Sequence, residues 1–235
     1  MMRNEATFSG IFQELVSLIG DAKRDVAIYT LVVGGLTAIG VAFGLMETSS
    51  GTISYGFSVD TNDTPASALF EIGTMIVSIV ATYVLLTRYL AARGRLQSEG
   101  SRFWLYLGMS ILSVIAVLIG FLFLIVPGVI LLVRWSAASG YLIGARQGVF
   151  ESLSSSWHAT KGSGWAIFFA AIVLLLGLGV AVAVLSVVFS IAGETVGGIV
   201  SSFVETAISG VYAGLGIAIY SLVHDEAEEL DEVFA

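Results

Sequence analysis

The 235-residue chain is predicted to be an all-α integral membrane protein, with six transmembrane helices, both termini cytoplasmic, and short interfacial amphipathic helices. Three observations predict it. The sequence is 57% hydrophobic and only 12% charged, about half the ~25% charge of a water-soluble domain, so lipid is its solvent. Its apolar residues fall in runs long enough to cross a hydrocarbon core about 30 Å thick. Its basic residues concentrate in alternate connections between those runs.

Composition also excludes classes of chemistry. The absence of cysteine removes disulfides, thiolate metal sites and cysteine nucleophiles. The net charge is −8, but six of the eighteen acidic residues lie in the last eleven positions. A nucleic-acid binder needs a basic patch, and the sequence has none.

Residues 1–25 are expected to form an amphipathic helix. Arg3 and Glu5 precede an amphipathic stretch, which does not read as a signal peptide. Phe8, Ile11, Phe12, Leu15, Val16 and Ile19 share one helical face, opposite Ser9, Gln13, Glu14 and Ser17. Such a helix lies either in the membrane interface or against the protein's own inner surface.

The membrane domain is expected over 26–223, with the first span at 26–45 and the second at 66–90. Pro65 suits the first turn of the second span, where a missing N–H costs nothing. Residues 103–147 would make a helix of about 66 Å at 1.5 Å per residue, twice what a bilayer core needs. Pro127-Gly128 is the natural hairpin tip, giving a third span up to residue 126 and a fourth from 129. A polar segment at 148–164 follows, with Phe150, Leu153, Trp157 and Thr160 or Lys161 at helical spacing. Trp157, His158 and Lys161 are placed at the interface, Trp157 at headgroup level. The fifth and sixth spans are expected at 165–191 and 198–223, and an acidic, mobile tail at 224–235.

Six spans with both termini inside put nine of the ten basic residues on the cytoplasmic side: Arg3, Lys23, Arg24, Arg88, Arg93, Arg95, Arg102, Arg146 and Lys161. Reading the Pro-Gly stretch as one crossing would move Arg146 and Lys161 outside, so the charge bias supports the hairpin independently of length. Glycines four apart, at Gly40/Gly44, Gly140/Gly144/Gly148 and Gly210/Gly214, suit close helix packing within the chain or a homodimer.

The tenth basic residue, Arg134, lies inside a span, as do Glu71 and Glu205. Intramembrane charge costs about 2.5–3.5 kcal/mol even on the insertion scale, so such residues find partners or functions. From the expected starts of their spans, all three lie about 8–10 Å below the outer face. Arg134 is expected to pair with Glu71, Glu205 or both. The cluster is then a lock between helices, or a polar site for a lipid headgroup, a small solute or a proton. Ser136, Thr206 and Ser209 are positioned to complete it.

No hydrolase, metalloprotease, phosphate-loop or dinucleotide motif occurs. His158 and His224 have no partners at metal-ligand spacing, so no metal or cofactor is expected. The acids Asp225, Glu226, Glu228, Glu229, Asp231 and Glu232 form a solvated run or a docking strip for a basic protein partner.

One ordered set of residues has a family likeness: Val126-Pro127-Gly128, Leu132-Val133-Arg134-Trp135-Ser136, Glu151-Ser152-Leu153, and Ser156-Trp157 through Lys161-Gly162. It resembles the membrane domain named after bacterial glycerophosphoryl diester phosphodiesterases, most strongly over 121–168. Gly140, Ala145 and Ser155 stand where family members often carry proline, glutamate and a basic residue. The resemblance implies a six-helix module of a bacterial inner (cytoplasmic) membrane. The family's esterase chemistry belongs to a separate soluble domain, for which this chain has no room. The expected function is therefore non-enzymatic: a structural, regulatory or lipid-handling module with membrane lipids as partners. The alternative is a small transporter or lipid permease using Glu71, Arg134 and Glu205.

Overall fold

The computed structural model describes residues 6–46, 64–97 and 100–234, with 225–234 described by backbone alone. No strand occurs among them. Six segments of the described residues are long and apolar enough to cross a membrane: Lys23–Ala42, Pro65–Ala92, Phe103–Phe123, Ile125–Ile143, Gly164–Ser190 and Glu194–His224. The protein is a polytopic, all-α membrane protein. The chain divides into two compact units. The first comprises Met1–Ala22, Leu86–Ile172 and Tyr212–Ala235, the second Lys23–Leu85 and Val173–Val211.

In the first unit, α1 (Phe8–Asp21) starts at Thr7, whose Oγ1 accepts the Gly10 N–H at 3.2 Å, satisfying one of the orphan donors of a helix start. It buries Ile11 and Leu15 of the expected stripe together with Leu18, which lies beside it. Leu15 packs where Gly214 leaves room beside Tyr89. Part of the stripe stays bare, with Phe8 42% and Val16 68% exposed. The apolar stripe is wider than the surface that receives it, so the helix both docks on the protein and presents apolar residues outward.

The third span is α5 (Phe103–Phe123), and α6 (Ile125–Arg134) returns along it. The hairpin is as expected, but its tip is not Pro127-Gly128. The chain reverses at Leu124, the one extended residue between the helices (φ −164°, ψ 147°). Pro127 is the third residue of α6, where the first four N–H groups lack intrahelical acceptors and proline is tolerated. Gly128 is a packing residue. A Cβ on Gly120 would lie 3.0 Å from the Gly128 N and Cα, so the two glycines bring backbone onto backbone.

The fourth span is not continuous. Helix α6 ends at Arg134, residues 135–137 form a turn, and α7 (Ala138–Ile143) resumes. Helix α8 (Val149–Ala159) follows, its start held by the Glu151 carboxylate, which accepts the Gly148 N–H at 3.1 Å. Ser152, Leu153, Ser156 and Thr160 are buried, whereas Phe150 is 77% exposed.

The second unit holds the first span, whose α2 (Lys23–Tyr29) and α3 (Gly35–Ala42) are joined by one π-helical segment, Thr30–Gly34. Gly34 abuts the backbone of Ser202 and Phe203. Helix α4 (Pro65–Ala92) begins as predicted, with Pro65 in its first position and Thr64 Oγ1 accepting the Ser67 N–H. Helices α9 (Gly164–Ser190) and α10 (Glu194–Phe234) pass through both units. Helix α10 continues past His224 to Phe234 and takes in the acidic residues there. Residues 217–234 contain neither glycine nor proline, and glutamate and leucine are good helix formers.

Candidate functional site

The break in the fourth span frees backbone groups in an apolar setting, where an unsatisfied carbonyl costs several kcal/mol. Arg134 ends α6, and its carbonyl is taken by α8: Ser156 Oγ donates to it at 2.7 Å and Thr160 Oγ1 at 3.4 Å. Ser136 Oγ donates to the Val133 carbonyl at 2.8 Å. The Arg134 cation sits at a helix C-terminus, the favourable end of the dipole. Its guanidinium carbon lies 5.5 Å from the Trp157 ring centroid, a cation–π distance. One guanidinium nitrogen, Nη1, is buried with no hydrogen-bond partner among the described residues.

Helix α8 is thus the wall of this site. Ser152, Ser156 and Thr160 lie four apart along its buried edge. Trp157 is 38% exposed and belongs to the Arg134 site as well as to the surface. His158 and Lys161 are exposed; the His158 ring engages the Ser154 carbonyl at 2.8 Å. Spacing alone does not bring them to Arg134.

A second polar group gathers at the end of α4. Gly94 adopts φ 65°, and the Arg95 N–H returns to the Leu90 carbonyl at 2.9 Å, a glycine-dependent helix stop. This turn directs Arg95 over the Tyr220 ring, 5.8 Å from its centroid. Tyr220 stacks on His224 at 5.1 Å and meets Tyr141 edge-on at 4.9 Å. Arg102 Nη1 donates to the Leu142 carbonyl at 3.0 Å. Arg93 bonds α1: its Nε is 2.7 Å from Glu14 Oε1 and its Nη1 2.9 Å from Asp21 Oδ2.

Glu71 and Glu205 lie in the second unit and Arg134 in the first. Counted from the helix starts, Glu71 is about 9 Å in, Arg134 about 14 Å and Glu205 about 16 Å. Helices α6 and α10 each begin four residues before the positions predicted. Both glutamates are half-buried and lie among hydroxyls: Ser67 and Thr74 on α4, Ser201, Ser202 and Thr206 on α10, all buried. The Tyr29 hydroxyl links the two helices, 3.3 Å from Thr82 Oγ1 and donating to Ser209 Oγ at 3.4 Å.

Among the described residues no three His, Asp or Glu side chains converge where a metal would sit. Ser156, Thr160, Arg95 and Tyr29 were not among the predicted site residues. Spacing is the signal for Ser156 and Thr160: with Ser152 they recur at i, i+4, i+8. Comparison with family models, curated proteins and solved structures finds no match.

Proposed function

We propose that this polytopic membrane protein is a non-enzymatic, lipid-handling module of a bacterial cytoplasmic membrane, and that Arg134 receives the anionic headgroup of a membrane lipid. The observation that carries the reading is the Arg134 guanidinium, whose buried Nη1 has no hydrogen-bond partner among the described residues and lies beside the partly exposed Trp157. A buried donor left unsatisfied costs about 1–3 kcal/mol, more when charged. A phosphate oxygen is its natural acceptor, and an indole at the same place suits the boundary between headgroup and acyl chain. The likeness to the glycerophosphoryl diester phosphodiesterase membrane domain supports this reading: the two segments that carry it, 132–136 and 156–162, are the ones that meet at Arg134.

The test is lipid retention. Protein purified from membranes and exchanged into mixed phosphatidylglycerol and phosphatidylcholine nanodiscs is expected to retain phosphatidylglycerol preferentially. Arg134→Gln should abolish the preference and Arg134→Lys restore part of it. An unchanged preference in folded Arg134→Gln protein would overturn the reading.

A further inference from the structure

The polar residues of the second unit are ordered. On α4, Ser67, Glu71, Thr74, Ser78 and Thr82 follow i, i+4, i+7, i+11, i+15 and share one helical face. On α10, Ser202, Glu205 and Ser209 form a matching line, flanked by Ser201 and Thr206. Tyr29 ties the far ends of the two lines together through Thr82 and Ser209. Successive polar groups are about 5–6 Å apart along each helix, a gap that one water or one ion bridges.

Four of these hydroxyls are also polarised one way. Ser67 Oγ donates to the Thr64 carbonyl at 2.8 Å, and Thr82 Oγ1 to the Ser78 carbonyl at 2.8 Å. Ser202 Oγ donates to the Gly198 carbonyl at 2.9 Å, and Thr206 Oγ1 to the Ser202 carbonyl at 2.7 Å. Each hydrogen is thus tied back to its own helix, and the oxygen lone pairs are what remain to offer. Thr74, between Glu71 and Ser78, is 6% exposed, and its hydroxyl has no hydrogen-bond partner among the described residues. A π-helical segment, a device common at functional sites, places Gly34 against the Ser202–Phe203 backbone beside the line.

We infer that these two lines form a pathway for a small monovalent cation, a proton or sodium ion, through the second unit, with Glu71 and Glu205 as its binding stations and the Tyr29 hydroxyl as its constriction. Lone pairs and carboxylates select positive charge, and intramembrane carboxylate chains are the usual elements of proton and ion relays. The inference stands on residues separate from the Arg134 site, so either reading can fail alone.

The test is flux through the full chain in phosphatidylcholine liposomes under a potassium diffusion potential. One arm reads internal pH with a trapped dye, the other the uptake of radioactive sodium. Flux above protein-free liposomes is expected in one arm, which identifies the cation. Glu71→Gln and Glu205→Gln should bring it to the protein-free rate, whereas Ile76→Val, on the exposed face of α4, leaves it unchanged. Thr74→Val should lower flux while raising the melting temperature, because a methyl replaces a buried hydroxyl lacking a partner; a purely structural threonine would not lower flux. Protein-free rates in both arms, or full flux in folded Glu71→Gln and Glu205→Gln proteins, would overturn the pathway. If a glutamate variant does not fold, Thr74→Val and Ser78→Ala decide on the same criteria.

Discussion

A methyl group at Gly140 would run into the Tyr220 ring. Gly140 therefore seats the Tyr220 ring, on which Tyr141 and His224 pack. Gly140→Ala should cost about 1–3 kcal/mol, as overpacking of a tight core does, and appear as a lower melting temperature in detergent. Arg146 presents the opposite case: it adopts φ 55°, a region that costs a side-chain-bearing residue roughly 1–2 kcal/mol. Arg146→Gly should raise the melting temperature despite the added freedom of the unfolded chain. Neither residue was legible as special in the sequence. Gly140 belongs to a glycine series whose partner, inside or outside the chain, periodicity leaves open, and an arginine at positive φ has no sequence signature. Arg134 was legible as a costly charge, but its neighbours were not. Ser156 and Trp157 lie more than twenty residues along the chain, and charge complementarity pointed to the two glutamates instead.

At the scale of elements, the break after Arg134 and helix α8 depend on each other. Ser156→Ala removes the shorter of the two hydroxyl bonds to the Arg134 carbonyl. It should cost about 1–3 kcal/mol and speed amide exchange in both α8 and α7, where a change at an isolated surface serine would affect neither. Span number and approximate limits were readable because hydrophobic length is a strong, local signal. The turn at 135–137 was not readable, since Trp135, Ser136 and Ala137 include no helix breaker; the turn is stabilised from outside by α8. The Pro127-Gly128 pair misled for the complementary reason. Proline is compatible with a first helical turn, so it marks the neighbourhood of a reversal and not the reversing residue.

At the scale of the molecule, the clustered basic residues serve two ends. By the positive-inside rule they are expected to set orientation, so reporters fused after Phe234 and before Phe8 should both be cytoplasmic; a signal from the opposite side for either would reject that topology. Some of them also join elements that hydropathy cannot connect. Arg93 fastens α1 through Glu14 and Asp21, so Arg93→Ala should raise amide exchange throughout residues 8–21 while leaving α5 protected. Sequence reading recovered the amphipathic helix and the charge bias separately. It could not show that one arginine unites them, because that depends on where α4 ends and on the Gly94 stop beside Arg93.

The reversal at Leu124 bears on how the protein is made. Leu122 through Val126 are five consecutive apolar residues, each at least 64% exposed, with no hydrophilic loop between α5 and α6. Membrane insertion of an ordinary helix pair must carry a polar connection across the hydrocarbon. Here nothing polar has to cross at the tip, so α5 and α6 can enter the bilayer together as a preformed wedge, closed by the Gly120–Gly128 contact. An aspartate pair introduced at 124–125 would impose the missing crossing cost, and its effect should fall on insertion yield during synthesis before it falls on the stability of the finished protein.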